Sequence, residues 1–367
     1  MDTKGGGMSL IDDVNDHERW LRLQCAVVEK GLRKKRQRMA DDALRFFRAT
    51  CFRFARTVAT LAPDVKDAPM VPAVGDPHIE NWGTWRDAEG RLVWGVNDFD
   101  EAADLPYTYD LLRLATSARL APGPPGTNKE KTQAILEGYR RGLAAPGPLF
   151  VDDEIPWMRA LALVHGPVAK QGAFRAELDA IETARPPQEL QDALRDLLPP
   201  GTTALRFGAR QRGGGSLGRP RYVAMGVWRG GRVAREAKAQ VPSVWDWALG
   251  KTGREGLLVS LATGRFRAPD PFLTCRAGFL CRRLASDSTR IDLAADETRA
   301  YVPSLLAAMG ADLAAIHVSE DVSAETILKD LRGRPENWLF DAARKAADAV
   351  EGDFQAWRAF HAAGEKP

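Results

Sequence analysis

Seven carboxylates fall within 28 residues, from Val74 to Glu101, in the stretch VGDPHIENWGTWRDAEGRLVWGVNDFDE. Like charges held close together cost free energy unless a cation or hydrogen-bond donors offset them. Such a segment either points its side chains into water or folds around something positive. Apolar runs frame it: PMVPAVG, WGTW and RLVWGVN read as three short strands, the last two joined by the glycine-bearing turn RDAEG.

Asp76 precedes Asn81 by five positions, the D-x-x-x-x-N spacing of a kinase catalytic loop. In such a loop the Asp orients or deprotonates an acceptor hydroxyl, and the Asn carbonyl oxygen holds magnesium. Asp98, at the far end of the hairpin, is the expected second magnesium ligand, with Asp100 helping behind it. Magnesium takes oxygen ligands and few protein carboxylates, which suits Asn81 with Asp98. His78 would shape the loop or touch the acceptor. A rival pattern uses the alternating Asp76, His78 and Glu80 as ligands for zinc, manganese or iron. Only five histidines occur, His17, His78, His165, His317 and His361, so no second local His supports that set.

A second constellation follows much later. GGGSLG (Gly213 to Gly218) precedes RYVAMGVW, the turn RGG and then RVAREAKAQ. The backbone N–H groups of Gly213, Gly214, Gly215, Ser216 and Gly218 can cradle phosphates because few Cβ atoms stand in the way. Glycine loop, strand, turn, and a strand with Lys238 near its end is the layout of a kinase nucleotide lobe. There the lysine contacts phosphates and pairs with a helix Glu. Glu255 is the candidate partner here, with Asp246 nearer in sequence.

The rest of the chain is mostly helical in pattern. Residues 1 to about 16 read as a polar, frayed end, and His17 to Leu61 as two helices, the second ending before Pro63. Helical spacing returns over Tyr109–Arg119, Asn128–Leu143 and Trp157–Val164. Ala184–Thr203, with proline pairs at both ends, suits a linker around one helix. AGFLCRRLASDSTRI reads as a further strand. YVPSLLAAMGADLAAIHV, NWLFDAARKAADAV and FQAWRAFHAA read as closing helices.

The bulk numbers narrow the classes. A net charge of +3 from 52 basic and 49 acidic residues demands neither nucleic acid nor a membrane surface. The basic run Arg33–Arg38 lies in a helical pattern and reads as a solvated face. Cys25, Cys51, Cys275 and Cys281 form no CxxC pair, so neither a disulfide framework nor a zinc site is expected. No apolar run approaches a membrane span, and the start lacks signal-peptide character, so a cytoplasmic protein is expected.

VGDPHIENWG with VNDFDEAADLPYTYDLLRLA resembles the core of aminoglycoside phosphotransferases and other kinase-like proteins, which reads HGDLHPGN, then IDWEDA, then a DLA helix. Asp76, Asn81, His78 and Asp98 fall on that pattern, and Asp110 on the Asp that opens its helix; Val74 replaces its first His. More closely, the chain resembles the bacterial domain-of-unknown-function family 2252, through its GDxHxxNFG and NDFDE blocks. FFRAT (Phe46–Thr50), KAQVPSV (Lys238–Val244), GFLCRRLASDS and LAAIH echo further blocks, so the likeness runs over roughly 38 to 318. KAQVPSV favours Lys238 over Arg235 as the nucleotide lysine. Arg48 reads as structural, packing its helix against the acidic cluster.

The resemblance implies an α+β, two-lobe protein-kinase-like fold with circularly permuted order, because the catalytic loop precedes the glycine-rich β lobe. The expected parts are N-terminal helices (1–62), the catalytic and metal part of a helical lobe (63–183), a linker (184–203), a β-rich nucleotide lobe (204–300) and closing helices (301–367). The expected activity is ATP- and Mg2+-dependent transfer of phosphate to a hydroxyl of an unidentified small-molecule or protein acceptor. Alternatives are a pseudokinase or AMP-transferring enzyme on the same residues, a metal hydrolase on Asp76, His78 and Glu80, or a helical interaction protein.

Overall fold

The structure is a computed structural model describing residues 9–364 except 124, 153–154, 163–166, 212, 294 and 320–321, with only the backbone of 167–170. Residues 1–8, His165 and the end of the helix expected over Trp157–Val164 lie outside the described residues.

The N-terminal segment holds four helices where the apolar spacing suggested two: α1 (Leu10–Gln24), α2 (Glu29–Arg38), α3 (Ala43–Ala49) and α4 (Cys51–Leu61). Polar caps account for the extra boundaries. Ser9 and Asp12 form a capping box that starts α1 inside the stretch expected to fray. Asp42 caps α3 through Arg45 N. Thr50 turns its hydroxyl back to Phe46 O at 2.8 Å and leaves helical geometry, which separates α3 from α4.

Strands β1 (Met70–Ala73), β2 (Trp82–Arg86), β3 (Leu92–Val96) and β4 (Ala103–Pro106) follow. β2 and β3 form the expected hairpin around Gly90, while β1 pairs antiparallel with β4. Helices α5 (Tyr107–Leu120) and α6 (Asn128–Ala144) come next, then β5 (Leu149–Phe150), α7 (Pro156–Ala162), α8 (Pro167–Asp179) and α9 (Gln188–Asp196). β6 (Thr203–Ala209), β7 (Arg221–Trp228), β8 (Gly231–Ala239), β9 (Thr274–Arg276) and β10 (Phe279–Leu284) make one antiparallel sheet in the order β6-β7-β8-β10-β9. The two-residue turn Arg229–Gly230 has positive φ at both positions, as a tight hairpin requires. Helices α10 (Val244–Leu249) and α11 (Leu257–Ala262) lie between β8 and β9. Helices α12 (Val302–His317), α13 (Ala324–Gly333) and α14 (Trp338–Ala362) close the chain. The two expected terminal helices are one: α14 runs unbroken through Gly352, where a Cβ would meet nothing within 4 Å.

This is an α+β fold with one large core. Helices α3–α6, α12 and α14 bury their apolar faces together with β1–β4. α10 and α11, expected with the β-rich part, instead bury Val244, Trp245, Leu257 and Leu261 in that core. The expected linker is also structural. α9 and the turn after it pack Leu190, Leu194 and Leu198 on Ala224, Ala237 and Cys281 of the sheet, and Ala184 N donates to Phe207 O at 3.1 Å. The opposite sheet face takes Leu178 and Ile181 on Val223, Met225 and Ala234. The run Asp296–His317 is apolar and long enough for a membrane span by composition, contrary to expectation, yet 72% of its apolar window is buried in the fold.

Helices α6 and α12 cross in close backbone contact. A Cβ on Gly138 would stand 1.8 Å from Ala307 O, and one on Gly310 would stand 2.2 Å from Ile135 O. Both obstacles are backbone, so neither can swing away. Gly138→Ala is expected to cost about 2–3 kcal/mol by forcing the helices apart, measured as a lower urea midpoint with an unchanged m-value.

Candidate functional site

One face of α5 holds the loop over residues 74–79. Asp110, Arg113 and Ser117, at helical spacing, hold successive parts of residues 74–79. Asp110 accepts from Val74 N at 2.7 Å and Gly75 N at 3.0 Å, and His317 Nε2 lies 3.0 Å from its Oδ2. His317 Nδ1 in turn sits 2.8 Å from the Tyr139 hydroxyl. Arg113 Nε donates to Asp76 Oδ1 at 2.6 Å, and Ser117 Oγ accepts from Ile79 N at 3.0 Å. Arg113 is wholly buried, lies over the Phe47 ring at 4.0 Å and donates to Phe47 O. Gly75 is required where it stands: its φ is +78°, and a Cβ would fall 1.8 Å from Glu101 O.

Asn81 locks this loop to the end of the hairpin. Its Nδ2 donates to Asp76 O at 3.1 Å and to Asp98 O at 3.0 Å. With both amide hydrogens used, Oδ1 is left without a hydrogen-bond partner among the described residues. Asp98 opens to the cleft, its side chain 41% exposed. A free amide oxygen beside an open carboxylate is a donor set that fits a hard cation such as magnesium.

Lys238 reaches this cluster from β8. Its Nζ lies 3.0 Å from Asp98 Oδ1 and 2.6 Å from Asp100 Oδ2, and its side chain is 7% exposed. Arg219, directly after the glycine loop, binds Asp100 at 3.0 Å and Glu101 at 2.8 Å. Glu101 also accepts from Val244 N at 2.7 Å, tying the start of α10 to the same loop. Glu255 is not brought here: it is exposed just before α11, and Lys238 takes Asp98 and Asp100 as its acidic partners instead. Arg235, on the other sheet face, stacks over Phe272 at 3.8 Å.

The glycine loop, Gly213–Gly218, connects β6 to β7 and lines the same cleft through Gly213, Gly214, Gly215 and Ser216. Gly218 packs on Leu32 of α2, and its carbonyl accepts from Val28 N at 2.8 Å. Arg48, expected to pack its helix against the acidic cluster, pairs with Glu80 of that cluster and also lines the cleft, where a Cβ on Gly214 would lie 3.4 Å from its guanidinium. The cleft has a volume of about 500 Å³, with an apolar portion formed by Leu258, Ala262, Leu273 and Leu280.

Electrostatics differ sharply within a few ångströms. Burial lifts the Asp76 carboxyl to about 6, against the pull of Arg113. Burial, and then Arg48, holds His78 well below its ordinary value and hence neutral. Desolvation acts to raise Asp98, but the Lys238 ammonium together with Arg282 and Arg221 outweighs it and keeps Asp98 below the usual carboxylate range. Asp100 is raised by burial and then by the charge on Asp98. The rival metal set is not assembled. Asp76 is bound by Arg113 and Glu80 by Arg48, and no group of three or more His, Cys, Asp or Glu is gathered for a metal among the described residues.

Residues 27–145 match a known family model. Its description is "Uncharacterized protein conserved in bacteria (DUF2252)". The match spans α2 to α6, so it includes Arg48, the loop from Asp76 to Asn81, Asp98, Asp100 and Arg113, and it stops before the glycine loop and Lys238. It starts earlier and ends sooner than the span of roughly 38 to 318 expected from the motifs. No curated protein and no solved structure matches the chain.

Proposed function

We propose that the chain is an ATP- and Mg2+-dependent phosphotransferase with a two-lobe, kinase-like architecture in permuted order, acting on a hydroxyl acceptor. The observation that carries this reading is the meeting of Lys238 with Asp98 across the cleft, from segments 140 residues apart. A glycine loop between the first two strands of the sheet and a lysine on the third support a nucleotide site. Asn81 Oδ1 and the Asp98 carboxylate would hold magnesium, which would supply charge neutralisation to the phosphates.

Asp76 would accept the acceptor hydroxyl's proton as that oxygen bonds to the γ-phosphorus and the bond to the bridging oxygen breaks, releasing ADP. Arg113 keeps the Asp76 carboxylate in place, and neutral His78 shapes the loop beside it. A carboxyl near 6 is mostly ionised at neutral pH yet still basic enough to take a proton.

The test is a melting measurement with Mg2+ and a non-hydrolysable ATP analogue, followed by turnover with γ- and α-labelled ATP. A Mg-dependent rise in melting temperature and transfer of the γ-label are expected. Transfer of the α-label would make the chain an AMP transferase, and binding without transfer a pseudokinase. Absence of any shift would remove the nucleotide reading and favour an interaction protein.

A further inference from the structure

The sheet wall of the cleft gathers several guanidiniums around one buried carboxylate. Glu236, 1% exposed, is met by Arg221 at 2.8 Å, by Arg282 at 2.8 Å and by Arg210. Strand register explains the gathering. Arg221 lies opposite Lys238, and Arg282 opposite Glu236, so all four side chains share the face turned to the cleft. A structural bridge to a buried carboxylate needs one guanidinium. Each further one raises the positive potential of a low-dielectric wall. Glu177 pairs with Arg210, and Arg221 and Arg282 also act through space on the Asp98 carboxylate across the cleft, so this wall is cationic where it faces the acidic loop. Arg282 is the exposed member of the set, with 32% of its side chain accessible. Its Nε and one terminal nitrogen are spent on Glu236, and its other terminal nitrogen has no hydrogen-bond partner among the described residues. Arg221 reaches back to Ser216 Oγ at 3.2 Å, which fixes the glycine loop against the same wall.

We infer that this wall is a polyphosphate-binding surface, in which Arg282 and Arg221 beside Lys238 recognise a chain of linked phosphates. The inference rests on the nucleotide reading of the same cleft and deepens it: the ligand class is a triphosphate, and a nucleoside monophosphate lacks the recognised group. Glu236 is the counter-ion that holds the guanidiniums in position before the ligand arrives. Guanidinium suits this role because its planar N–H groups bind two phosphate oxygens at once.

Calorimetric titration of the full chain with Mg-ATP, Mg-AMP and Mg-tripolyphosphate tests the assignment. Wild type is expected to bind ATP and tripolyphosphate, and AMP at least about tenfold more weakly. Arg282→Gln should weaken ATP and tripolyphosphate about tenfold, the effect of losing a charged hydrogen bond, and leave AMP unchanged, with only a small fall in melting temperature because Arg221 and Arg210 still hold Glu236. Arg282→Lys should recover part of the loss. Unchanged ATP affinity in Arg282→Gln, with loss in Lys238→Ala, would overturn the surface and leave the nucleotide reading standing. Tripolyphosphate binding by wild type without any binding of ATP would overturn the nucleotide reading and keep the surface. If neither ligand binds wild type, both fall.

Discussion

Lys238→Ala is expected to destabilise the protein by about 2–4 kcal/mol at pH 7 and, on the proposed reading, to abolish nucleotide binding. The stability loss comes from two carboxylates left facing each other. Asp98 and Asp100 both bind the lysine, and Asp100 is already raised by its neighbour's charge. Breaking a buried pair costs up to about 5 kcal/mol. The smaller figure follows because Asp98 opens to the cleft and Arg219 still holds Asp100. In wild type Asp98 is held below its ordinary value, so its contribution to stability is present above the unfolded pKa and lost as pH falls through the folded one. In the variant both carboxylates bind protons more readily, so the deficit should shrink as pH is lowered towards 5. Magnesium should raise the melting temperature of Lys238→Ala more than that of wild type, because a divalent cation replaces the missing charge. Equal melting of the two proteins at pH 7 and pH 5 would remove the lysine from the acidic cluster.

The second large effect is expected at Asp76. On the proposed reading, Asp76→Asn should lower turnover by about 10²–10⁴-fold, the range for a positioned general base, with nucleotide affinity retained. Asn keeps an oxygen for Arg113 Nε, so the loop geometry survives the exchange. Wild-type kcat/KM should fall about tenfold per pH unit below about 6, because the protonated carboxyl can no longer accept a proton. The residual rate of Asp76→Asn should lack that acidic limb. Loss of nucleotide affinity together with turnover would assign Asp76 to binding instead.

The local parts of the site were legible in the chain because their signals are local. A five-residue Asp–Asn spacing, a glycine turn between alternating strands, and a lysine closing a strand all follow from periodicity and turn chemistry that neighbouring residues decide. For the same reason the hairpin β2–β3 and the helices α5, α6 and α12 lie where apolar spacing placed them, within a few residues. Helix number in the first sixty residues was less legible, because caps at Ser9, Asp42 and Thr50 override a nearly continuous apolar repeat.

Partner choice belonged to the tertiary structure. Nothing periodic links Lys238 to Asp98 and Asp100 rather than to Glu255, or turns Arg48 into the cleft, or sets three arginines around Glu236. Arg113 and Ser117 drew no notice in the sequence, and the shared purpose of Asp110, Arg113 and Ser117 appears only when residues 74–79 lie across their helix face. Strand alternation put Glu236 and Lys238 on a common face, yet only pairing with β7 and β10 decided which cations stand beside them. Charge is recognised through space at a few ångströms, and the fold alone determines which distant residues come that close.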